Sequence, residues 1–292
     1  MRSALFVPGD DEKKLAKGLA SGADALIVDL EDSVAASAKA RARTITTEFL
    51  RQATAKPGRP RLVVRVNPLA SGLVEADLDA IAPAAPECVM LPKSLDGASV
   101  QQLGVKLAVR EAQCGLVEGA TKIIALATES AVALFAMGTY RRCSRRLAGL
   151  AWGGEDLSAD LGAEANRHPD GSWTSPYLLA RNLTLIAAVA ADVAPIDTVY
   201  TNFRDLEGLR TEALAARRDG FTGKMAIHPA QIAVINEVFT PTAAALAKAQ
   251  AIIAAFAAKP DAGVVAIDGE MFDRPHLIRA QRLAARAKTR AG

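Results

Sequence analysis

The sequence predicts an α/β protein: a (β/α)8 TIM barrel with a C-terminal strand-turn-helix extension acting as a lid. Three observations lead there. Eight short apolar runs alternate with longer helical segments over about 230 residues, and the loops between them are short. Neither GxGxxG nor GxxxxGK[ST] follows any of the runs, so an open nucleotide-binding sheet has no motif to stand on. The length of 292 residues suits one sizeable core, and α/β barrels often reach it as a single domain.

Taken in order, the first run, ALFV (4–7), stops at Pro8-Gly9 and is followed by DEKKLAKGLASG. ALIVDLE (25–31) is apolar until its carboxyl end, where Asp29, Glu31 and Asp32 gather before the helical AASAKARARTITTEFLRQA. RLVVRVN (61–67) carries Arg65 inside a Val-rich strand, and CVMLPK (88–93) ends in Lys93 before SVQQLGVKLAVREAQ. IIALAT (123–128) runs into Glu129, and LAGLAW (147–152) into Gly153, Gly154, Glu155 and Asp156 before SPYLLARNLTLIAAVAADV. IDTVYT (196–201) leads to Asn202 and DLEGLRTEALAARRDG, and KMAIHP (224–229) closes the series with His228-Pro229. Short apolar runs bounded by turn residues are what strands buried on both faces look like. After them an alanine-rich helix at roughly 242–258 precedes Pro260, and GVVAIDGEMFDRPHLIRAQRLAARAK reads as strand, turn and helix. A barrel domain over 1–258 and an extension over 259–292 are expected, the extension serving as a lid or packing on a neighbouring subunit.

Composition narrows the function classes. Thirty-five basic and 32 acidic residues leave a net charge of +3, too balanced for a nucleic-acid binder but compatible with a small anionic substrate. Cys88, Cys114 and Cys143 are odd in number and lack CxxC spacing, which points to reduced thiols in a cytoplasmic chain. No signal peptide is visible, and no run is expected to span a membrane.

A parallel barrel forms its active site at the carboxyl ends of the strands. Glu129 and Asp156 stand there on consecutive units, where charge after an apolar strand is costly unless a cation compensates it. Converging carboxylates suit Mg²⁺, which takes a few carboxylate oxygens and completes its shell with water or substrate. The plain alternative is a pair of solvated acids or helix N-caps. Arg65, rare as a buried cation, either binds an anionic substrate or pairs with Asp29 or Glu31. Lys93 either steers anions or balances the acidic rim. Lys13, Lys14 and Lys17 form a solvated face or meet phosphates, and Arg274, Arg279, Arg282, Arg286, Lys288 and Arg290 read as one solvated helical face. With three histidines in all, a His-rich zinc site is not expected, and His228 reads as structural.

The stretches RSALFVPG, DALIVDLEDSV, RVNPL, VMLPKS, ALATES, WGGEDLSADLG, KMAIHPAQI and DGEMFDRPH run from residue 2 to about 276. In this order they closely resemble the citrate lyase beta subunit family, within the HpcH/HpaI aldolase and malyl-CoA lyase superfamily. The resemblance implies a Mg²⁺-dependent lyase acting on acyl-CoA or acyl-carrier thioesters. It implies Glu129 and Asp156 as metal ligands, with Glu31 and Asp32 holding metal-bound water. Arg65, Glu129, Lys93, Gly154 and Glu155 would bind substrate. Arg65, Glu129 and the lid residue Asp273 would carry the catalysis, Asp273 entering the site of an adjacent subunit. Lys13, Lys14, His228 and Pro229 would contact CoA, and a homotrimer is implied.

The reaction so implied is reversible cleavage of a 3-hydroxyacyl-CoA thioester into a 2-oxo acid and acetyl-CoA. A malyl-CoA-type thioesterase, and a citrate lyase subunit working on an acyl carrier protein, stand as alternatives. The ALATES stretch departs from the Ile-Glu version of many relatives. Malyl, citramalyl, methylmalyl and citryl thioesters all remain open as substrates.

Overall fold

The structure is a computed structural model describing residues 1–288. Eight parallel strands close into a barrel in sequence order. They are β1 (Ser3–Pro8), β2 (Ala25–Asp29), β3 (Arg61–Arg65), β4 (Cys88–Leu91), β5 (Lys122–Leu126), β6 (Leu147–Ala151), β7 (Ala194–Asp197) and β8 (Gly223–Ala226). Closure comes from β8 pairing with β1, Lys224 opposite Ser3 and Ala226 opposite Leu5. Between the strands run α1 (Glu12–Leu19), α2 (Lys39–Thr54), α3 (Val74–Ile81), α4 (Gly97–Gln113), α5 (Ala131–Phe135), α6 (Glu155–Leu161), α7 (Ser175–Ala190) and α8 (Leu206–Asp219). Several start at a side-chain cap. Asp11 accepts from the Lys14 amide at 3.0 Å, Asp96 from Ser99 at 2.8 Å, and Asp205 from Gly208 at 2.9 Å.

The strands alternate between two cores because successive side chains point to opposite faces. Ile27, Val63, Met90, Ile124, Ala151, Ile196 and Met225 fill the barrel interior. Their neighbours Val64, Val89, Leu91, Ile123, Ala125 and Leu150 face outward into the layer under the helices. Asp29 and Arg65 share the parity of Ile27 and Val63 and are register partners, so both fall at the carboxyl-end rim of the interior.

Every expected strand is present, but several end sooner than the sequence indicates. β8 stops at Ala226 rather than at residue 229 because Gln231 Oε1 takes the amides of Ile227 and His228. β7 stops at Asp197, and the Tyr200 carbonyl is claimed by Gln231 Nε2. These segments leave the ladder to present their side chains.

Packing divides the chain elsewhere than at the expected 258/259 boundary. Compact units meet at Asn236/Glu237, so α10 (Ala243–Ala258), after α9 (Ile232–Phe239), belongs with the extension. The reason is packing: Ala249, Ile252 and Phe256 of α10 share one buried cluster with Val265, Phe272 and Ala280. The extension also holds a second strand. β9 (Val264–Ile267) and β10 (Glu270–Asp273) form an antiparallel hairpin ahead of α11 (Arg274–Lys288). Its turn, Asp268-Gly269, has φ of 49° and 82°, the paired positive values that a two-residue hairpin loop demands.

Arg279, Arg282 and Arg286 are exposed as expected, but Arg274 is engaged: it donates to the Pro260 carbonyl at 2.6 Å and lies over Phe256. Arg290 lies outside the described residues. One stretch, Pro229–Ala258, is long and apolar enough by length and composition to resemble a membrane span, with a mean hydropathy of 1.3. That stretch is divided at Thr240-Pro241 into helices of 8 and 16 residues, each short of the ~20 that cross a bilayer.

Candidate active site

Arg65 ends β3, and the register that sets it beside Asp29 fixes its chemistry. Its Nε and Nη2 donate to the two Asp29 carboxylate oxygens, each at 2.7 Å. Nη1 lies 2.9 Å from Glu31 Oε2, and the guanidinium sits 4.9 Å from the Phe6 ring centroid. Burial pushes the Asp29 carboxyl up, but the Arg65 hydrogen bonds and charge outweigh it and hold the group below the usual range. The pairing reading of Arg65 is therefore correct, with both acids at once.

Lys93 follows β4 in a left-handed conformation, φ 49°, which costs a non-glycine residue about 1–3 kcal/mol. That turn sends its backbone amide to Glu129 Oε2 and its side chain among the acids. The ammonium is 2.6 Å from Glu31 Oε1, 3.4 Å from Asp156 Oδ1 and 3.5 Å from Asp32 Oδ1. The rim-balancing reading of Lys93 matches this geometry.

Glu129 and Asp156 are not N-caps. The first amide of α5, at Ala131, is taken by Asp160 at 2.6 Å, while Glu129 turns the other way to Lys93. Asp156 lies in the first turn of α6, after Gly154, and is partly exposed. Glu129 is buried. Burial first, then the Asp156 and Glu31 charges, push its carboxyl up to about 8. Gly153 is pressed onto it, since a Cβ at Gly153 would come within 3.0 Å of Glu129 Cγ.

Three features bear on whether these residues suit Mg²⁺. The donors converging here are carboxylate oxygens, the hard ligands that ion takes. Glu31 Oε2 is buried and has no hydrogen-bond partner among the described residues, because its contact with Arg65 is off the N–H direction. The side-chain-free Gly153 leaves the Glu129 carboxylate its place. Among the described residues no group of three or more His, Cys, Asp or Glu forms a ready cage.

The remaining expected residues sit further out. Glu155 is exposed and accepts from Asn166 at 3.1 Å, and buried Gly154 faces Trp173. Lys13 and Lys14 are exposed at the start of α1, where with Pro8, Asp10, Ser33 and Arg41 they border a cleft of about 550 Å³. Arg41 was not picked out from the sequence; its basic surroundings, KARAR, look like any solvated helix face. At His228, Nδ1 accepts from the Ala230 amide at 3.2 Å and the ring stacks on Phe203 at 4.6 Å. Pro229 beside it is exposed. Asp273 ends β10 and its carboxylate is bound to His276 Nδ1, a contact that holds it below the usual range. Sequence reasoning also missed a buried charge network around Lys224, although a lysine inside the apolar run KMAI carries the same signal as Arg65.

Comparison with known proteins fits this geometry. Residues 2–229 match the family HpcH/HpaI aldolase/citrate lyase, and 177–290 match C–C bond lyase of the TIM-barrel fold. The chain is 36% identical to citrate lyase subunit beta of Leuconostoc mesenteroides subsp. cremoris, covering 97% of this chain and 91% of the relative. It is 34% identical to mitochondrial citramalyl-CoA lyase of Rattus norvegicus, covering 98% of this chain and 86% of that one. Among solved structures, CitE from Mycobacterium tuberculosis with magnesium, acetoacetate and coenzyme A superimposes with a TM-score of 0.76, at 33% identity and 98% coverage of both chains. Sequence likeness over nearly the whole chain, on a closed barrel with its acids at the strand ends, has one consequence: the chain belongs to the HpcH/HpaI aldolase/citrate lyase family.

Proposed function

We propose that the protein is a Mg²⁺-dependent lyase that cleaves, or forms, a 3-hydroxyacyl-CoA thioester of the malyl-, citramalyl- or citryl-CoA type. The products are a 2-oxo acid and acetyl-CoA. Family membership makes the chain a carbon–carbon bond lyase. The observation that carries the finer reading is the gathering of Glu31, Asp32, Glu129 and Asp156 around Lys93 and Arg65 at the carboxyl ends of β2–β6. Relatives that act on citramalyl-CoA, or hold magnesium and coenzyme A, support it.

Glu129 and Asp156 would hold Mg²⁺, with Glu31 and Asp32 orienting water around it. When bound, the ion supplies Lewis acidity to the oxygens of the oxo-acid portion. The bond between the hydroxyl-bearing carbon and the carbon next to the thioester breaks, the hydroxyl gives its proton to water in the site, and the electron pair of the broken bond moves toward the thioester oxygen. Arg65 opposes that charge. Its Nε and Nη2 are committed to Asp29, and Nη1, ion-paired with Glu31 at 2.9 Å but making no hydrogen bond to it, is the nitrogen with N–H groups to offer the oxygen, held in place by the bidentate pair. Asp273 returns a proton to the carbon next to the thioester, or removes one in the reverse direction. Its carboxylate is half exposed on the hairpin, which suits delivery by a lid, from an adjacent subunit in a homotrimer. Lys13, Lys14 and Arg41 at the cleft, with the backbone of His228-Pro229, suit the phosphates of CoA.

The test is purified protein with Mg²⁺ against malyl-, citramalyl-, methylmalyl- and citryl-CoA, reading glyoxylate, pyruvate, propionyl-CoA and oxaloacetate as fits each ester. An oxo acid that appears with Mg²⁺ and vanishes in EDTA and in Asp156→Asn is the expected result. Free CoA with a hydroxy diacid and no oxo acid would overturn the lyase reading in favour of a thioesterase.

A further inference from the structure

We infer that a closed ring of six side chains, Trp152, Asp197, Lys224, Glu212, Arg167 and Trp173, positions the Gly153–Asp156 turn and thereby sets how tightly the site holds its divalent ion. The inference rests on the reading of Asp156 as a ligand.

The ring can be followed contact by contact. Trp152 leaves the end of β6, and its Nε1 donates to Asp197 Oδ1 at 2.8 Å. Asp197 Oδ2 meets Lys224 Nζ at 2.7 Å, and Lys224 meets Glu212 Oε1 at 2.7 Å. Glu212 Oε2 meets Arg167 Nη1 at 2.8 Å. The Arg167 guanidinium lies 3.5 Å over the Trp173 ring, and Trp173 returns to Trp152 edge-on at 4.9 Å. Three of its members are anchored on β7, β8 and α8, elements that belong to the rigid barrel. The other three hold the turn after β6 and the 162–174 loop that follows α6.

What the ring encloses is the ligand-bearing turn. The backbone of Gly154 lies against the Trp173 ring: a Cβ there would come within 3.2 Å of Cζ3 and 3.5 Å of the Trp152 ring. Gly154 precedes α6, whose first turn carries Asp156, and a Cβ at Gly153 would come within 3.0 Å of Glu129 Cγ. A shift of Trp173 is thus passed through Gly154 to both proposed ligands.

The Trp173 ring is held by packing against Arg167, Trp152 and Tyr177. Its Nε1 is buried and finds no hydrogen-bond partner among the described residues. The flat face of Arg167, fixed by the charge of Glu212, is what presses it onto Gly154. Lys224 is fully buried with two carboxylates, so Glu212 is itself rigidly placed. Arg167 is therefore a positioning residue on a loop, held by Glu212 behind it and by the Gly171 carbonyl, which accepts from Nη1 at 2.8 Å.

Both tryptophans of the chain belong to the ring, so intrinsic fluorescence reports its state without any substrate. The experiment compares wild type, Arg167→Ala, Arg167→Lys and Trp173→Phe by tryptophan emission, far-ultraviolet circular dichroism and calorimetric titration with MgCl₂. Arg167→Ala is expected to keep its far-ultraviolet spectrum, shift its emission, and bind Mg²⁺ about 10-fold or more weakly, the scale of lost outer-sphere support. Arg167→Lys restores the charge for Glu212 but not the flat face, and recovers part of the affinity. Trp173→Phe keeps an aromatic ring at the site, so it folds even if the alanine variant does not, and it too binds Mg²⁺ more weakly. Affinities within twofold of wild type in the folded variants would overturn the inference while leaving the metal site intact. A wild type that takes up no Mg²⁺ would instead overturn the proposed function, and the inference with it.

Discussion

Removing Arg65 should damage the fold in a way that depends on pH, and the structure gives the size. Asp29 is 1% exposed and receives two Arg65 hydrogen bonds at 2.7 Å; without them it keeps only the amides of Glu31 and Ser33. Breaking a buried pair by deleting one partner costs roughly 3–5 kcal/mol, because the other charge stays behind. For a unit the size of Met1–Asn236, roughly 2–4 °C of melting temperature per kcal/mol makes a loss of about 6–20 °C at neutral pH. The sign with pH follows from Asp29. Its folded-state pKa is depressed in the wild type, so the pair's contribution is present above the unfolded value of about 3.9 and fades as pH falls through the lower folded value. In Arg65→Ala, burial is opposed by the Glu31 and Ser33 amides without the guanidinium, Asp29 protonates more readily, and the deficit narrows in acid. Thermal melts from pH 7 to pH 4 measure this, and Arg65→Ala/Asp29→Asn should cost less than the sum of its parts. A deficit under 1 °C, or one that does not change with pH, refutes the reasoning. Activity comparisons then belong to Arg65→Lys, which keeps the charge and loses the fork.

Two further outcomes follow from the same geometry. Glu111 is buried and accepts from both Arg146 Nη atoms and from the amides of Gly119 and Thr121, so Glu111→Gln should lose about 3 kcal/mol in urea unfolding at pH 7. Gly153→Ala places a Cβ within 3.0 Å of Glu129 Cγ; Mg²⁺ affinity measured by calorimetry should fall several-fold while the melting temperature moves little.

How much of this was legible in the sequence depends on whether the signal was local. The eight strands were legible because each is an apolar run ending in a turn residue, and the acids after β2, β5 and β6 stood out against those runs. Arg65 and Lys224 are the same anomaly, a cation in an apolar strand, and their partners differ in legibility. Asp29 lies at the end of an adjacent strand, where register predicts it, whereas Glu212 lies inside α8, among charges that any solvated helix shows. The Asp268-Gly269 hairpin was a local signal that went unread as one: two residues suited to positive φ between alternating apolar residues. The place of α10 in the second unit was not local at all, since only the three-dimensional cluster with Phe272 and Ala280 decides it.

The site itself argues that function was favoured over stability here. Among the described residues, the cations ion-paired with Asp29, Glu31, Asp32 and Asp156 beside Glu129 are Arg65 and Lys93, and Arg65 is already bound to Asp29 on two of its nitrogens. Like charges a few ångströms apart repel by about 4 kcal/mol at an effective dielectric constant near 20. Glu129→Gln keeps the shape and an oxygen for the Lys93 amide while removing a buried carboxyl that, with its pKa pushed up to about 8, the ion-free fold must hold largely protonated at pH 7. In EDTA the variant should therefore be more stable than the wild type, by about 0.5–2 kcal/mol, the usual gain where a site gives up function. Mg²⁺ should reverse the order, because at 100 times its Kd an ion that binds only the folded wild type adds about 2.7 kcal/mol. Urea unfolding of both proteins, with and without Mg²⁺, reads the crossover directly. A variant that is less stable in EDTA would mean that the acids are already compensated by Lys93 and Arg65, and that nothing in the fold calls for a further cation.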